Sequence, residues 1–377
     1  MIKQILLTLL VIFSCASCAN NTQKVNKQNN ESLQEKPQKN TQEYKIIGVA
    51  LPFKGSDAPI GRKFLKLIAS GIKYSSNDSI RIVPLDVSSM ESTLESIEKI
   101  KEKDLKIILG PIFSNTVESM SSAYNGRIFL TLSNNPSVAN ESVYIFGHAP
   151  MKQNERMIQY ALKSNYKDFI FLLPESSYSK NVTDVLSAEI TDKGGYVVDK
   201  IFYNIDDESK MEKITTALVE KVSEIHNKKE RKPFILIGDD EVSLKKIYDI
   251  IRKNDLDQKA LIGGDSRLNI PYEHSIDYMF VGSDNFIDSE LSKNLAKITN
   301  KDIIAPMEAL SFDLGLLIGN VLNTDSEINV DEIKTKLEQK NGYLLGGGFL
   351  KFVDNIAIRS YDILYKKNDI IKIEDRQ

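Results

Sequence analysis

Lys45-Ile46-Ile47-Gly48-Val49-Ala50-Leu51 runs directly into Pro52 and the turn residues Gly55 and Ser56, and behind them Phe64, Leu65, Ile68 and Ile72 stand at helical spacing. A β-branched run stopped by proline reads as a buried strand. The spacing that follows reads as an amphipathic helix over Arg62 to Ile72. Outward from this unit the pattern repeats, with a strand at Ile80 to Leu85, a helix at Met90 to Lys103, a strand at Lys106 to Leu109, a helix at Thr116 to Tyr124 and a strand at Ile128 to Leu132. Alternation at this rhythm predicts parallel βαβ units with helices on both sheet faces.

After Val143 to Gly147 the rhythm restarts. A helix is expected at Asn154 to Lys163, then strands at Phe169 to Leu173, Tyr196 to Tyr203, Phe234 to Gly238 and Ala260 to Gly263, separated by helices near Val182 to Lys193, Lys210 to His226 and Val242 to Asn254. Two successive series predict two lobes. The tail reads as helices near Leu291 to Thr299, Ala309 to Val321 and Val330 to Gln339, followed by β-rich stretches at Tyr343 to Val353 and Ala357 to Ile373. The fold class expected is α/β, with two doubly wound parallel-sheet lobes.

Composition narrows the function. The 377 residues are 41% hydrophobic and 27% charged, an ordinary globular balance. The net charge of −3 comes from 49 basic and 52 acidic residues spread along the chain, which gives no field suited to nucleic acid. The 3 histidines, His148, His226 and His274, are scattered without metal-ligand spacing, so no metal is expected. No GxGxxG follows the first strand, so no cofactor is expected either.

The amino terminus joins Lys3, an apolar run from Ile5 to Phe13 and small residues around Cys15 and Cys18, the anatomy of an export signal over residues 1–17. Polar residues from Asn20 onward argue against a retained membrane span. The Asn- and Gln-rich stretch 18–43 has little apolar surface to bury and is expected to be a disordered tether.

Ligands of open parallel sheets bind beyond the carboxyl ends of the strands. The residues there are small and polar: Gly110-Pro111-Ile112-Phe113-Ser114-Asn115, Ser133-Asn134-Asn135-Pro136, Ser176-Ser177-Tyr178 and Gly263-Gly264-Asp265-Ser266. Such residues suit a small polar or zwitterionic ligand, and each also reads as a helix cap. Asp239-Asp240-Glu241 admits a cation site or an ordinary first helical turn. Ser177-x-x-Lys180 and Ser283-Asp284-Asn285 echo motifs of penicillin-interacting serine enzymes, but the KTG element is missing and there is no GxSxG. The chain is not expected to be an enzyme.

Three runs carry a resemblance: Ile47 to Gly55 before a helix, Ile107-Ile108-Leu109-Gly110-Pro111 with Ser114, and Leu132-Ser133-Asn134 with Pro136 and Val138. With Tyr178, Gly194-Gly195, Gly263-Gly264-Asp265 and Ser311-Phe312-Asp313-Leu314, they resemble the leucine-binding class of type I periplasmic binding proteins over Tyr44 to Ile373. The resemblance implies lobe one at 44–148 plus about 283–340, lobe two at 149–282 plus about 341–377, and hinge crossovers, the first at His148 to Pro150. It further implies that Ser114, Ser133 and Asn134 hold a ligand carboxylate, that Asp265 holds its amine and that Tyr178 closes over it, and Asn115, beside Ser114 in the strand-end loop, is expected to touch the ligand too.

Cys15-Ala16-Ser17-Cys18 resembles a bacterial lipobox, which implies lipid on Cys18, with Cys15 as the alternative acceptor, and attachment to the inner or outer membrane facing the periplasm. The short segment before Ile80, the loop Ser56 to Ile60 without an aromatic and the run Ser133 to Val138 are most similar to the penicillin-binding protein activator branch of this superfamily. That branch implies a peptidoglycan synthase as partner. The leucine-binding class itself implies the permease of an amino-acid ABC importer.

Overall fold

The computed structural model describes residues 44–377 except 124–125, 149, 239–240, 265–275, 288, 301–303, 324–326, 368–369 and 377. The signal and lipid-acceptor segment, the 18–43 stretch, Asp239, Asp240 and Asp265 lie outside the described residues.

Strand β1 (Lys45–Leu51) is central, pairing parallel on one side with β2 (Ile80–Asp86) and on the other with β3 (Ile107–Leu109), as its near-continuous burial requires. Beyond β3 come β4 (Ile128–Thr131) and β5 (Val143–Ile145), also parallel. Helices α1 (Ala58–Tyr74), α2 (Met90–Glu102) and α3 (Ser114–Ser121) connect these strands. Separate apolar cores, one around Ile47, Phe64 and Phe312 and one around Ala50, Ile97 and Phe129, show that both sheet faces are covered.

The chain then enters a second sheet through α4 (Pro150–Lys163). Its strands are β6 (Asp168–Pro174), β7 (Tyr196–Tyr203), β8 (Phe234–Ile237), β9 (Leu261–Gly264) and β10 (Tyr278–Gly282), interleaved with α5 (Ser177–Asp192), α6 (Glu208–Lys229), α7 (Glu241–Lys253) and α8 (Leu256–Lys259). Strand β10 was not expected. Its run Tyr-Met-Phe-Val-Gly has no alternation, and a short apolar run of this kind is ambiguous in sequence.

After β10 the chain returns to the first lobe as α9 (Glu290–Thr299), α10 (Pro306–Val321) and α11 (Val330–Leu337). Next come β11 (Tyr343–Leu345), β12 (Gly348–Val353) and β13 (Ile356–Arg359), an antiparallel extension whose last strand pairs parallel with β5. Strands β14 (Asp362–Lys367) and β15 (Ile370–Asp375) join the second sheet beside β10. The eight-stranded sheet thus runs β11-β12-β13-β5-β4-β3-β1-β2 and the seven-stranded one β15-β14-β10-β9-β8-β6-β7. This corrects the expected boundary near residue 341: residues 343–359 belong to the first sheet, and the change of sheet falls at Ser360 and Tyr361. The apolar patterns of β12 and β14 are alike, so nothing in their periodicity says which sheet edge each extends.

Helix α10 is apolar on all sides and buried along most of its length, as befits a helix inside a lobe rather than on its surface. It lies unusually close to α1. A Cβ placed on Gly71 would sit 2.0 Å from the Phe312 carbonyl oxygen, and one on Gly315 would sit 2.0 Å from the Ile68 carbonyl oxygen. The helices touch backbone to backbone at these glycines.

Candidate functional site

The carboxyl ends of β1, β2, β3 and β4 open onto a polar groove of about 520 Å³ lined by Ser88, Ser89, Ser114, Asn115, Ser133 and Asn134 among others. Its walls are fixed by local hydrogen bonds. The Pro111 carbonyl accepts from the Thr131 hydroxyl at 2.6 Å and from Leu132 N at 3.0 Å, which ties the loop after β3 to the end of β4. The Ser88 hydroxyl accepts from Phe53 N at 2.9 Å and Lys54 N at 2.8 Å, tying the loops after β1 and β2 together. Burial raises the pKa of Asp86 behind them, but the Ser88 hydroxyl, the Phe53 and Ser88 amides and Lys54 outweigh it and hold the carboxylate below its ordinary range.

The expected residues now separate by role. Phe113, not Ser114, is the residue that precedes α3, and it supplies no side-chain cap. The half-buried Ser114 hydroxyl makes no hydrogen bond among the described residues, and neither does the exposed Asn134 amide, so both are available to a ligand. Asn115 is partly committed, because its Oδ1 accepts from Thr116 N at 2.8 Å. Ser133 is buried and accepts from Asn135 N at 3.1 Å, so it shapes the turn as well as lining the groove. Ser176, by contrast, caps α5 by accepting from Ser179 N at 3.0 Å.

Asn134 also lines a second space of about 650 Å³ that reaches the other lobe, where Gln153, Asn154, Pro174, Tyr178 and Gly264 form the wall. The two spaces share Asn134, and together they are the candidate cleft. Tyr178 is 58% exposed at the start of α5 and Phe113 is 51% exposed at the start of α3, so each presents an aromatic face outside its own lobe's core. The structure therefore brings Ser114, Asn115, Ser133 and Asn134 to one groove and Asn134 and Tyr178 to the adjoining space, while Asp265, which follows Gly264, lies outside the described residues. Ser88 and Ser89 were overlooked. They follow the carboxyl end of β2, so the rule that found Ser114 would have found them too.

A second group missed in the sequence sits where the crossovers converge. Gly147 passes so close to Ser133 that a Cβ there would lie 2.0 Å from the Ser133 carbonyl oxygen, which packs the first crossover against the cleft wall. Asp313 of α10 accepts from Gly346 N and Gly347 N at 2.9 Å each. Ser283 and Asn285, on the crossover after β10, both donate to the Gly346 carbonyl. Arg359, at the last crossover, donates to the Phe146 carbonyl at 2.7 Å. Burial pushes the Asp313 carboxyl up to about 7 against the pull of the Gly347 amide, the Arg359 charge and the Gly346 amide. Burial, helped by the Arg359 charge, lowers His148 to about 3, so its ring is neutral.

Among the described residues no cluster of His, Cys, Asp or Glu could hold a metal ion, and no helix is long and apolar enough to cross a membrane. No protein-family model matches the chain. An uncharacterized protein of Rickettsia prowazekii (strain Madrid E) is 31% identical over 329 residues, covering 86% of this chain and 87% of that protein. Among solved structures, a branched chain amino acid ABC transporter periplasmic ligand-binding protein from Burkholderia xenovorans superposes with a TM-score of 0.70 at 12% identity, covering 87% of this chain and 94% of that one. The C-domain of LpoA from Haemophilus influenzae, a regulator of PBP1A, superposes with a TM-score of 0.62 at 17% identity, covering 87% of this chain and 99% of that one.

Proposed function

We propose, for a chain that belongs to the family of this Rickettsia prowazekii protein and has the type I periplasmic binding protein fold, that it is a non-catalytic binding module of the cell envelope. The observation that carries this reading is the cleft itself. The uncommitted hydroxyl of Ser114 and amide of Asn134 line the first-lobe groove, and Asn134 shares the adjoining space with an exposed Tyr178 of the other lobe. Donors and acceptors at strand carboxyl ends with an aromatic opposite suit a small polar or zwitterionic ligand. In this reading Asn115 and Ser133 complete the carboxylate-binding wall, and the ligand's amine is assigned to Asp265, which lies outside the described residues.

The module is held to the membrane by lipid on Cys18, and its output is protein contact: it regulates a peptidoglycan synthase, as an activator of a penicillin-binding protein. The likeness to the LpoA C-domain over 99% of that chain supports this choice. The second reading, a solute receptor for an amino-acid ABC importer, is supported by the likeness to the branched chain amino acid binding protein.

A pull-down from detergent-solubilised envelopes separates the two. The wild-type chain is expected to retain a peptidoglycan synthase and to incorporate fatty acid, and Cys18→Ala is expected to lose the label and pass into the soluble envelope fraction. Recovery of a permease without a synthase would replace the regulator reading by the importer one. Continued labelling of Cys18→Ala would move the anchor to Cys15.

A further inference from the structure

We propose that the chamber where the lobe crossovers meet is a second ligand site, separate from the cleft, that takes a short-chain monocarboxylate of acetate to propionate size. The chamber measures about 60 Å³. One end carries Arg359 and His148, and much of the remainder is apolar, with Phe280, Phe286, Ile304 and Leu310 in its wall.

The polar end holds one buried donor without an acceptor, on Arg359, and a second, on His148, that is met only weakly by the Pro306 backbone. Arg359 Nη2 donates to the Phe146 carbonyl and the guanidinium lies 4.3 Å from the centre of the Phe146 ring, so its posture is fixed. Its Nη1 is buried and has no hydrogen-bond partner. His148 Nδ1 stands 3.4 Å from the Gln153 amide nitrogen. An amide nitrogen only donates, so Nδ1 accepts and the proton of the neutral ring is assigned to Nε2. That Nε2 is buried too, and although the Pro306 carbonyl favours its charged form, it makes no hydrogen bond of normal geometry. Buried donors are almost always met, and leaving them unmet is costly.

The shape of the chamber selects what meets them. A buried water needs two to four polar partners, and the apolar end offers few. Sulfate or phosphate would strand charged oxygens against Phe280 and Phe286. A carboxylate with one or two carbons behind it places two acceptors on the donors and its methyl or ethyl group on the apolar wall. Asp313 also borders the chamber, but its oxygens are engaged by Gly346 and Gly347, and near neutrality burial keeps it protonated part of the time, which limits its repulsion of a second carboxylate.

The site would also sense lobe position. His148, Ser283 and Arg359 come from three different crossovers, so an occupant touches every connection between the lobes. Gln153 lines both this chamber and the cleft, which links the two sites through one side chain.

The test is calorimetric titration and thermal unfolding of the purified full chain with sodium acetate, sodium propionate and, at equal ionic strength, sodium chloride and sodium phosphate. Acetate and propionate are expected to bind saturably and raise the melting temperature, and chloride and phosphate are not. Arg359→Gln and His148→Leu each remove one donor and should weaken acetate at least tenfold. Ala309→Leu fills the chamber without touching either donor and should abolish acetate binding in a protein that still unfolds cooperatively. If Arg359→Gln does not fold, Ala309→Leu and His148→Leu decide. No saturable response in the wild type, or acetate bound as tightly by Ala309→Leu as by the wild type, would overturn the proposal.

Discussion

Asp313→Ala is expected to cost about 3–5 kcal/mol of folding stability, the range for removing one member of a buried charged group and leaving its partners unmet. Two buried backbone amides, Gly346 N and Gly347 N, lose their acceptor, and the Arg359 guanidinium loses the nearby carboxylate. Since Gly346 also receives Ser283 and Asn285 through its carbonyl, the damage should spread to the crossover after β10. Denaturant unfolding at neutral pH measures the loss.

Asp313→Asn and His148→Gln give a sharper reading through pH. The Asp313 carboxyl, pushed up to about 7, is above its unfolded value near 3.9, so its contribution is fully present at low pH and is lost as pH rises towards 7. His148, lowered to about 3 from an unfolded value near 6.5, acts in the opposite sense: the unfolded chain takes up the proton first, so stability is lost as pH falls through that window. Between about pH 4 and 6.5 the two slopes oppose each other, each at most about 1.4 kcal/mol per pH unit. Relative to the wild type, the stability of Asp313→Asn should therefore rise with pH across this window and that of His148→Gln should fall. Parallel profiles for all three proteins would show that neither group is held as the geometry indicates.

Gly315→Ala is the second large effect, and its sign is the informative part. In an exposed helix interior, alanine for glycine stabilises by roughly 0.5–1 kcal/mol. Here the added methyl would meet the Ile68 carbonyl oxygen at 2.0 Å and the Ile68 carbonyl carbon at 2.8 Å, both backbone atoms that no rotamer change can move. Helix α1 must shift away from α10, opening the core around Phe64, Leu67 and Phe312. Overpacking of this kind costs typically 1–3 kcal/mol and occasionally more, so a net loss of about 3 kcal/mol is expected by denaturant unfolding. A gain in stability would mean that the helices are not in backbone contact.

The sequence makes these features legible to different degrees. The β1 stretch is decisive because a strand buried on both faces needs an unbroken apolar run, and Ile46 to Leu51 supplies one shortly before a helix. The first-lobe cleft wall follows from the same logic, since Ser114, Ser133 and Asn134 are the first polar residues past strand ends. What the residue types could not separate is a capping serine from an available one: Ser176 and Ser114 both open helices, yet Ser176 precedes its helix and bonds Ser179 N, whereas Ser114 stands inside the first turn behind Phe113. The crossover cluster was not legible at all. His148, Asp313 and Arg359 are far apart in sequence and meet only because the chain changes sheet repeatedly, and the last change, at Ser360 and Tyr361, has no periodic signal to mark it.

Binding in the cleft is tested most directly by thermal unfolding of the full chain, as wild type and as the Ser114→Ala/Asn134→Ala double variant, against amino acids, aromatic carboxylates and cell-wall fragments. A compound present at 100 times its dissociation constant should stabilise the wild type by about 2.7 kcal/mol. Losing two neutral hydrogen bonds, each contributing about 0.5–1.5 kcal/mol, should weaken that compound roughly 5- to 150-fold in the double variant. Stabilisation by one class of compound, weakened in the double variant alone, is the result the cleft predicts; no stabilisation by any compound, or an equal response in the double variant, would contradict it.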